Sequence, residues 1–170
     1  MRDDPFAAKF YAGCFALDQL PRQLKQNSLY IMNLSKISHE GSHWVQIGTM
    51  NGTTYFDSFG RPPPREIITN LLSVDEVVLW SDAVIQSPIS QSCGYHVLLV
   101  SFLQARGYSM REILSHFYQV EDRDYLRNDA YATDVISSLT TLEERPVVDW
   151  SIILKKKKMR KCITKRKGYH

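Results

Sequence analysis

The chain has 170 residues, 44% of them hydrophobic and 23% charged, which suits one folded domain with a substantial apolar core. No run approaches the roughly 18–20 apolar residues of a membrane span, and MRDDPFAAKF lacks a signal peptide's charge-then-apolar layout. Three scattered cysteines do not make a disulfide framework, so a reducing, intracellular setting is expected. The net charge of +3 hides an asymmetry. Between Lys155 and Lys167 lie nine Lys or Arg and no acid, leaving 12 basic against 18 acidic residues elsewhere. Any attraction to polyanions belongs to that tail.

In chain order, Tyr11 to Pro21 is a compact apolar segment closed by Leu20-Pro21, and Leu29 to Met32 reads as a short buried strand. Trp44 to Ile47 and Thr54 to Phe56 are β-rich runs flanking a Gly-containing stretch, which is a hairpin pattern. Pro62-Pro63-Pro64 opens a helix over Arg65 to Leu72, with Ile67, Ile68, Leu71 and Leu72 on one face. Val77 to Trp80 is a further strand. Cys93 to Ala105 is apolar apart from His96, Ser101 and Gln104, as expected of a helix buried on most sides. Ser109-Met110-Arg111-Glu112 is a capping box that turns Ile113, Leu114 and Phe117 inward. A last helix is expected from about Asn128 to Leu139, and past Arg145-Pro146 the pattern decays into the basic tail, read as disordered. The expected class is α+β: a small mixed or antiparallel sheet packed by helices, with the buried central helix starting at Cys93. The division is a folded domain over residues 1–145 and a tail over 146–170.

Cys93 lies in Gln91-Ser92-Cys93-Gly94-Tyr95, where a loop becomes the buried helix. There the helix dipole and unpaired N–H groups favour a thiolate. Packing as a small apolar side chain is the competing reading. A nucleophile needs a base, and the base needs a partner that fixes its tautomer. His43 stands at the mouth of one hairpin strand, and Asp57, in Tyr55-Phe56-Asp57-Ser58-Phe59-Gly60, ends the other. A two-residue Asn51-Gly52 turn would pair Asp57 with Gln46 and put His43 and Asp57 on opposite faces. A five-residue loop from Gly48 to Gly52 sets His43 across from Asp57, so the catalytic reading expects the wider loop or a bulge. Gln86, seven residues before Cys93, is the candidate side-chain donor to a tetrahedral oxyanion. Gln91 is nearer but leaves too little chain to fold back.

The ordered set His43-Trp44, then Tyr55-Phe56-Asp57-Ser58-Phe59-Gly60, then Gln86 and Pro88, then Cys93-Gly94 resembles the adenovirus-type cysteine endopeptidases (adenain). It is also similar to the wider ubiquitin-like-protein protease clan. Gly13-Cys14-Phe15-Ala16-Leu17-Asp18-Gln19-Leu20-Pro21 resembles the versions encoded by Polinton/Maverick elements and adintovirus-like genomes. The resemblance covers roughly residues 11–140. It implies a maturation protease cutting capsid and core precursors, often after small residues such as glycine, in a host nucleus or virion. It gives His43 the role of base, Asp57 of orienting acid, Gln86 of oxyanion donor and Cys93 of nucleophile, and it has Trp44 packing against the site. Asp57 stands where adenoviral members carry Glu, and the histidine-to-acid spacing is shorter here.

Other readings compete. His39-Glu40-Gly41-Ser42-His43 matches the zincin pattern H-E-x-x-H, but Gly41 and Ser42 are poor helix residues and a strand follows. Neither this segment nor Cys14, Cys93 and His96 is expected to hold a metal, and the chemistry needs no cofactor. Cys14 is read as core, His96 as a packed histidine, Asp18 as a turn or cap residue, and Phe15, Tyr55, Phe56 and Phe59 as core. The basic tail reads as a non-specific DNA-binding segment, a nuclear localisation signal or a solvated tail. By the resemblance, activation by DNA or by a basic cysteine-containing peptide is a further role, with Lys161-Cys162 as an attached counterpart. The expected partner is a polypeptide substrate, and the chain itself is expected to be a monomer. The alternatives are an isopeptidase for ubiquitin-like modifiers and a non-catalytic nucleic-acid-binding protein on a protease scaffold.

Overall fold

The computed structural model describes residues 1–118 and 125–140. The expected tail over 146–170 lies outside them. Five strands form one sheet in the order β1 (Tyr11–Ala16), β2 (Leu29–Asn33), β3 (Trp44–Gly48), β4 (Thr53–Phe56) and β5 (Val78–Trp80). The middle three pair antiparallel, whereas β1 runs parallel to β2 and β5 parallel to β4. The helices are α1 (Arg65–Leu71), α2 (Cys93–Ala105), α3 (Met110–Tyr118) and α4 (Tyr125–Thr140). The chain is thus α+β, with a mixed sheet packed by helices. Among the described residues, no helix is long and apolar enough to cross a membrane.

Both faces of the sheet are covered, and the period of two shows which residue serves which face. Along β2, Leu29 and Ile31 join the core beneath α2 and α4, while Tyr30 and Met32 join the core beneath α1. Val45 and Ile47 of β3 follow the second pattern, packing with Ile67 and Leu71 of α1. A strand buried on both faces reads as a continuous apolar run, which is why Leu29 to Met32 was legible. On α1 only Ile67 and Leu71 are buried. Ile68 and Leu72 are exposed, because a seven-residue helix resting on one side of a sheet presents a stripe too narrow for four apolar positions.

Helix α2 spans the expected residues and is enclosed on most sides, with Val97, Leu99 and Val100 fully buried. Gln104 near its end accepts a 2.7 Å hydrogen bond from Gln46 of β3, fixing the helix along the sheet. The capping box forms as expected: the Glu112 carboxylate accepts from Ser109 N–H at 2.8 Å, and Ser109 Oγ accepts from Glu112 N–H at 3.3 Å. Cys14 is a correction. It lies on the outermost strand β1 and is exposed, since the alternation that half-buries Tyr11, Gly13 and Phe15 points residue 14 to the other, open face.

The hairpin register is neither of those expected. Gln46 pairs with Phe56, Ile47 with Tyr55 and Gly48 with Thr54. Both the two-residue Asn51-Gly52 turn and the five-residue Gly48-to-Gly52 loop are thereby excluded. Long-range bonds set this register. Thr49 is tied to the start of β2, with its N–H on Ser28 O at 2.9 Å and its hydroxyl on Lys25 O at 2.7 Å. The Thr53 hydroxyl donates to Asp75 at 2.7 Å. Continued, the register sets Asp57 opposite Val45. That leaves His43 and Asp57 diagonal neighbours on one face, each one residue beyond its strand.

Candidate active site

The site gathers where β3 begins, β4 ends and α2 starts. His43 and Asp57 meet there, with Nε2 2.8 Å from Oδ1. Asp57 is fully buried, and the same Oδ1 accepts the Phe59 backbone N–H at 2.7 Å. The chain turns sharply after it: Gly60 N–H donates to Asp57 O, and Gly60 sits at φ +69° where a Cβ would collide with Asp82 O. That turn brings the Phe59 ring onto the His43 imidazole, stacked with centroids 5.0 Å apart. The carboxylate and the ring stack hold the imidazole between them.

With Nε2 on the carboxylate, Nδ1 is the nitrogen left for Cys93, which faces the ring. Burial by itself lowers the pKa of His43, but hydrogen bonds to Asp57 and Cys93, with their charges, outweigh it and raise it to about 9. Burial likewise opposes ionisation of Cys93. Hydrogen bonds from His43 and from the backbone of Trp44 and Gly94 overcome that and lower the thiol pKa. The pair is therefore poised toward thiolate and imidazolium. Ser92, at the N-cap position of α2, makes no side-chain cap, so none of the first-turn N–H groups of α2 is covered by a Ser92 hydroxyl. Trp44 is half-buried beside Gly94.

Gln86 is buried in the loop before α2, and its side chain is held at both ends. Oε1 accepts from Ser58 Oγ at 2.5 Å, and Nε2 donates to Ser90 O at 3.0 Å. Gln86 thus hangs from the residue after Asp57, but no hydrogen bond among the described residues joins it to Cys93. The structure brings His43, Asp57 and Cys93 together directly, and Gln86 through Ser58. Sequence reasoning missed Ser58 and assigned Phe59 to the core, although it is half-buried on the imidazole. Their position directly after Asp57 was the available signal.

The remaining candidates fall elsewhere. Residues 39–43 form a loop, not a helix, with His39 and Glu40 exposed. Among the described residues, no cluster of three His, Cys, Asp or Glu could hold a metal. His96 is fully buried and bonded to Asp129. Asp18 is a turn residue, in the 3-10 turn Leu17–Gln19, and its Oδ1 accepts the Ile37 N–H at 3.0 Å and secures the loop before His43.

A thiol held toward a carboxylate-oriented imidazole at a helix N-terminus can act as a base-activated nucleophile. No protein-family model matches the chain, and no curated protein matches it. Among solved structures it is similar to two crystal structures of the ASFV pS273R protease. For the selenomethionine form the identity is 21% and the TM-score 0.37, over 59% of this chain and 43% of the other. For the second, the identity is 20% and the TM-score 0.38, over 60% and 41%. The chain thus covers less than half the length of the structures it matches.

Proposed function

We propose that this chain is a cysteine endopeptidase with Cys93 as nucleophile, His43 as base, Asp57 as orienting carboxylate and Gln86 as oxyanion donor. The observation that carries the reading is the His43 imidazole fixed with Nε2 2.8 Å from buried Asp57, which leaves Nδ1 for Cys93, the neighbour whose thiol pKa His43 lowers. The Cys93 thiolate attacks the scissile carbonyl carbon, and the carbonyl electron pair moves onto oxygen. Gln86 Nε2, which donates to both Ser90 O and Ser90 Oγ in the resting site, exchanges the longer Ser90 Oγ bond for one to that oxyanion, beside backbone N–H groups of α2. His43 protonates the leaving nitrogen as the C–N bond breaks. Water then attacks the thioester, gives its proton to His43 and releases Cys93 as thiolate.

The substrate is a polypeptide. Following the resemblance to adenovirus-type enzymes, it is a capsid or core precursor cut after a small residue such as glycine, in a host nucleus or virion. Activation by DNA or a basic peptide, and DNA binding by the stretch from Lys155 to Lys167, belong to the same proposal. The test is incubation of the purified chain with glycine-rich peptides, with and without DNA, read by mass spectrometry. Cleavage that vanishes in Cys93→Ala and in His43→Ala is the expected result. Cleavage that persists in Cys93→Ala would contradict the proposal.

A further inference from the structure

Asn128 and Asp129, near the start of α4, have no part in the chemistry above, yet their side chains grip the backbone on both sides of Gln86. Asn128 Nδ2 donates to Ile85 O at 3.0 Å, and Asp129 Oδ2 accepts the Ser87 N–H at 3.2 Å. The other oxygen of Asp129 reaches the start of α2. Oδ1 accepts from Ser92 Oγ at 2.7 Å and from His96 Nε2 at 2.8 Å. A single carboxylate therefore joins the Gln86 loop to residues on either side of Cys93. Ser92 Oγ continues the chain of bonds, lying 3.0 Å from Ser90 Oγ, which itself receives Gln86 Nε2 at 3.2 Å. From the other side, Ser58 O accepts the N–H groups of both Ile85 and Gln86, at 2.9 and 3.1 Å. Asn128, Asp129, Ser92 and His96 are all buried, so these bonds do not compete freely with water.

We infer that Asn128 and Asp129 are positioning residues that set the Gln86 amide at its distance from Cys93, and that α4 serves the reaction through them. The inference rests on the proposed protease reading. An oxyanion donor works only if it is held where the charge develops, and displacement of such a donor costs rate without touching the nucleophile. Asp129→Asn removes the charge and turns either an amide N–H toward Ser87 N–H or one toward Ser92 and His96. The loop loses its fixed span in both cases. Asn128→Ala releases Ile85 alone and leaves the Asp129 bonds in place.

Two reactions of Cys93 separate positioning from general structural support. Acylation by p-nitrophenyl acetate passes through a tetrahedral oxyanion, whereas alkylation by iodoacetamide displaces iodide without one. Both are measured on the full chain, with the modified cysteine mapped by mass spectrometry. For Asp129→Asn the expected result is roughly tenfold slower acylation, part of the roughly 10²-fold lost with an oxyanion donor, and alkylation within about twofold of wild type. Asn128→Ala lowers acylation in the same selective way and decides the matter if Asp129→Asn does not fold. Combined with Gln86→Ala, either variant adds little further loss, because all act through one donor. Acylation and alkylation that fall together, or acylation unchanged in both variants while Gln86→Ala slows it, would overturn the inference. Wild-type Cys93 acylated no faster than Cys14 would instead remove the protease reading, and this inference with it.

Discussion

His43 and His96 each hold an aspartate oxygen 2.8 Å from Nε2, yet they titrate in opposite directions. The difference lies at the other ring nitrogen. Nδ1 of His43 faces a thiol that becomes an anion, so a second proton there is stabilised. Nδ1 of His96 is buried without a partner, and its ring lies against Phe117, so protonation would bury an unpaired donor. Burial, outweighing the help of Asp129, lowers its pKa. Asp57→Asn tests the first pair. Losing the carboxylate should return the His43 pKa from about 9 toward its ordinary 6.5 and cut peptide turnover roughly 10²-fold or more, with circular dichroism unchanged. His96 tests the second. Below about pH 6.5 the unfolded chain takes up a proton that folded His96 refuses, so stability falls as pH drops from there. Denaturant titrations at pH 5 to 7 should show a slope of up to about 1.4 kcal/mol per pH unit from this group, absent in His96→Gln. The three side chains proposed to act in catalysis were singled out in the sequence because Cys93 follows a loop signal and heads an apolar run, and His43 and Asp57 bound a hairpin. Ser58 and Phe59 were not, since a serine or phenylalanine beside an aspartate carries no chemical signature of its own.

At the scale of elements, α2 was legible to the residue because a thirteen-residue run, apolar but for His96, Ser101 and Gln104, admits few alternatives. The sheet was less so. Its antiparallel centre showed as the buried run Leu29 to Met32 and two β-rich runs, and β5 as Val77 to Trp80, but the parallel pairing of β1 and β5 depends on contacts far apart in sequence. The hairpin register failed for the same reason: Asn51-Gly52 is a strong local turn signal, and Thr49 and Thr53 override it through Ser28, Lys25 and Asp75. The turn after β4 is the element on which the site depends most. A Cβ at Gly60 would lie 2.6 Å from Asp82 O, a backbone atom, at a φ that L-residues disfavour. Gly60→Ala should therefore cost about 2 kcal/mol, lowering the melting temperature by roughly 4–8 °C in calorimetry. Because the same turn carries Phe59 onto His43, turnover should fall with it.

Over the whole molecule, the sheet separates two cores, and the site lies at its end, where strand termini and the α2 N-terminus converge. The core beneath α1 holds β3 and β4 in register and so aligns His43 with Asp57. The core beneath α2 and α4 places Cys93 against them. Neither half alone makes the site. The central claim is that this convergence creates a His43-activated thiolate at Cys93, and the most direct measurement is the pH dependence of Cys93 alkylation by iodoacetamide in wild type and His43→Ala. The Cys93 thiol pKa is lowered, whereas partial desolvation of the Cys14 sulfur on the otherwise exposed β1 residue raises its own, so wild-type Cys93 should react faster than Cys14 near neutral pH. In His43→Ala the midpoint should shift upward, with the rate at pH 7 falling by about tenfold or more. Equal rates and midpoints in the two proteins, or a Cys93 no faster than Cys14, would contradict the account.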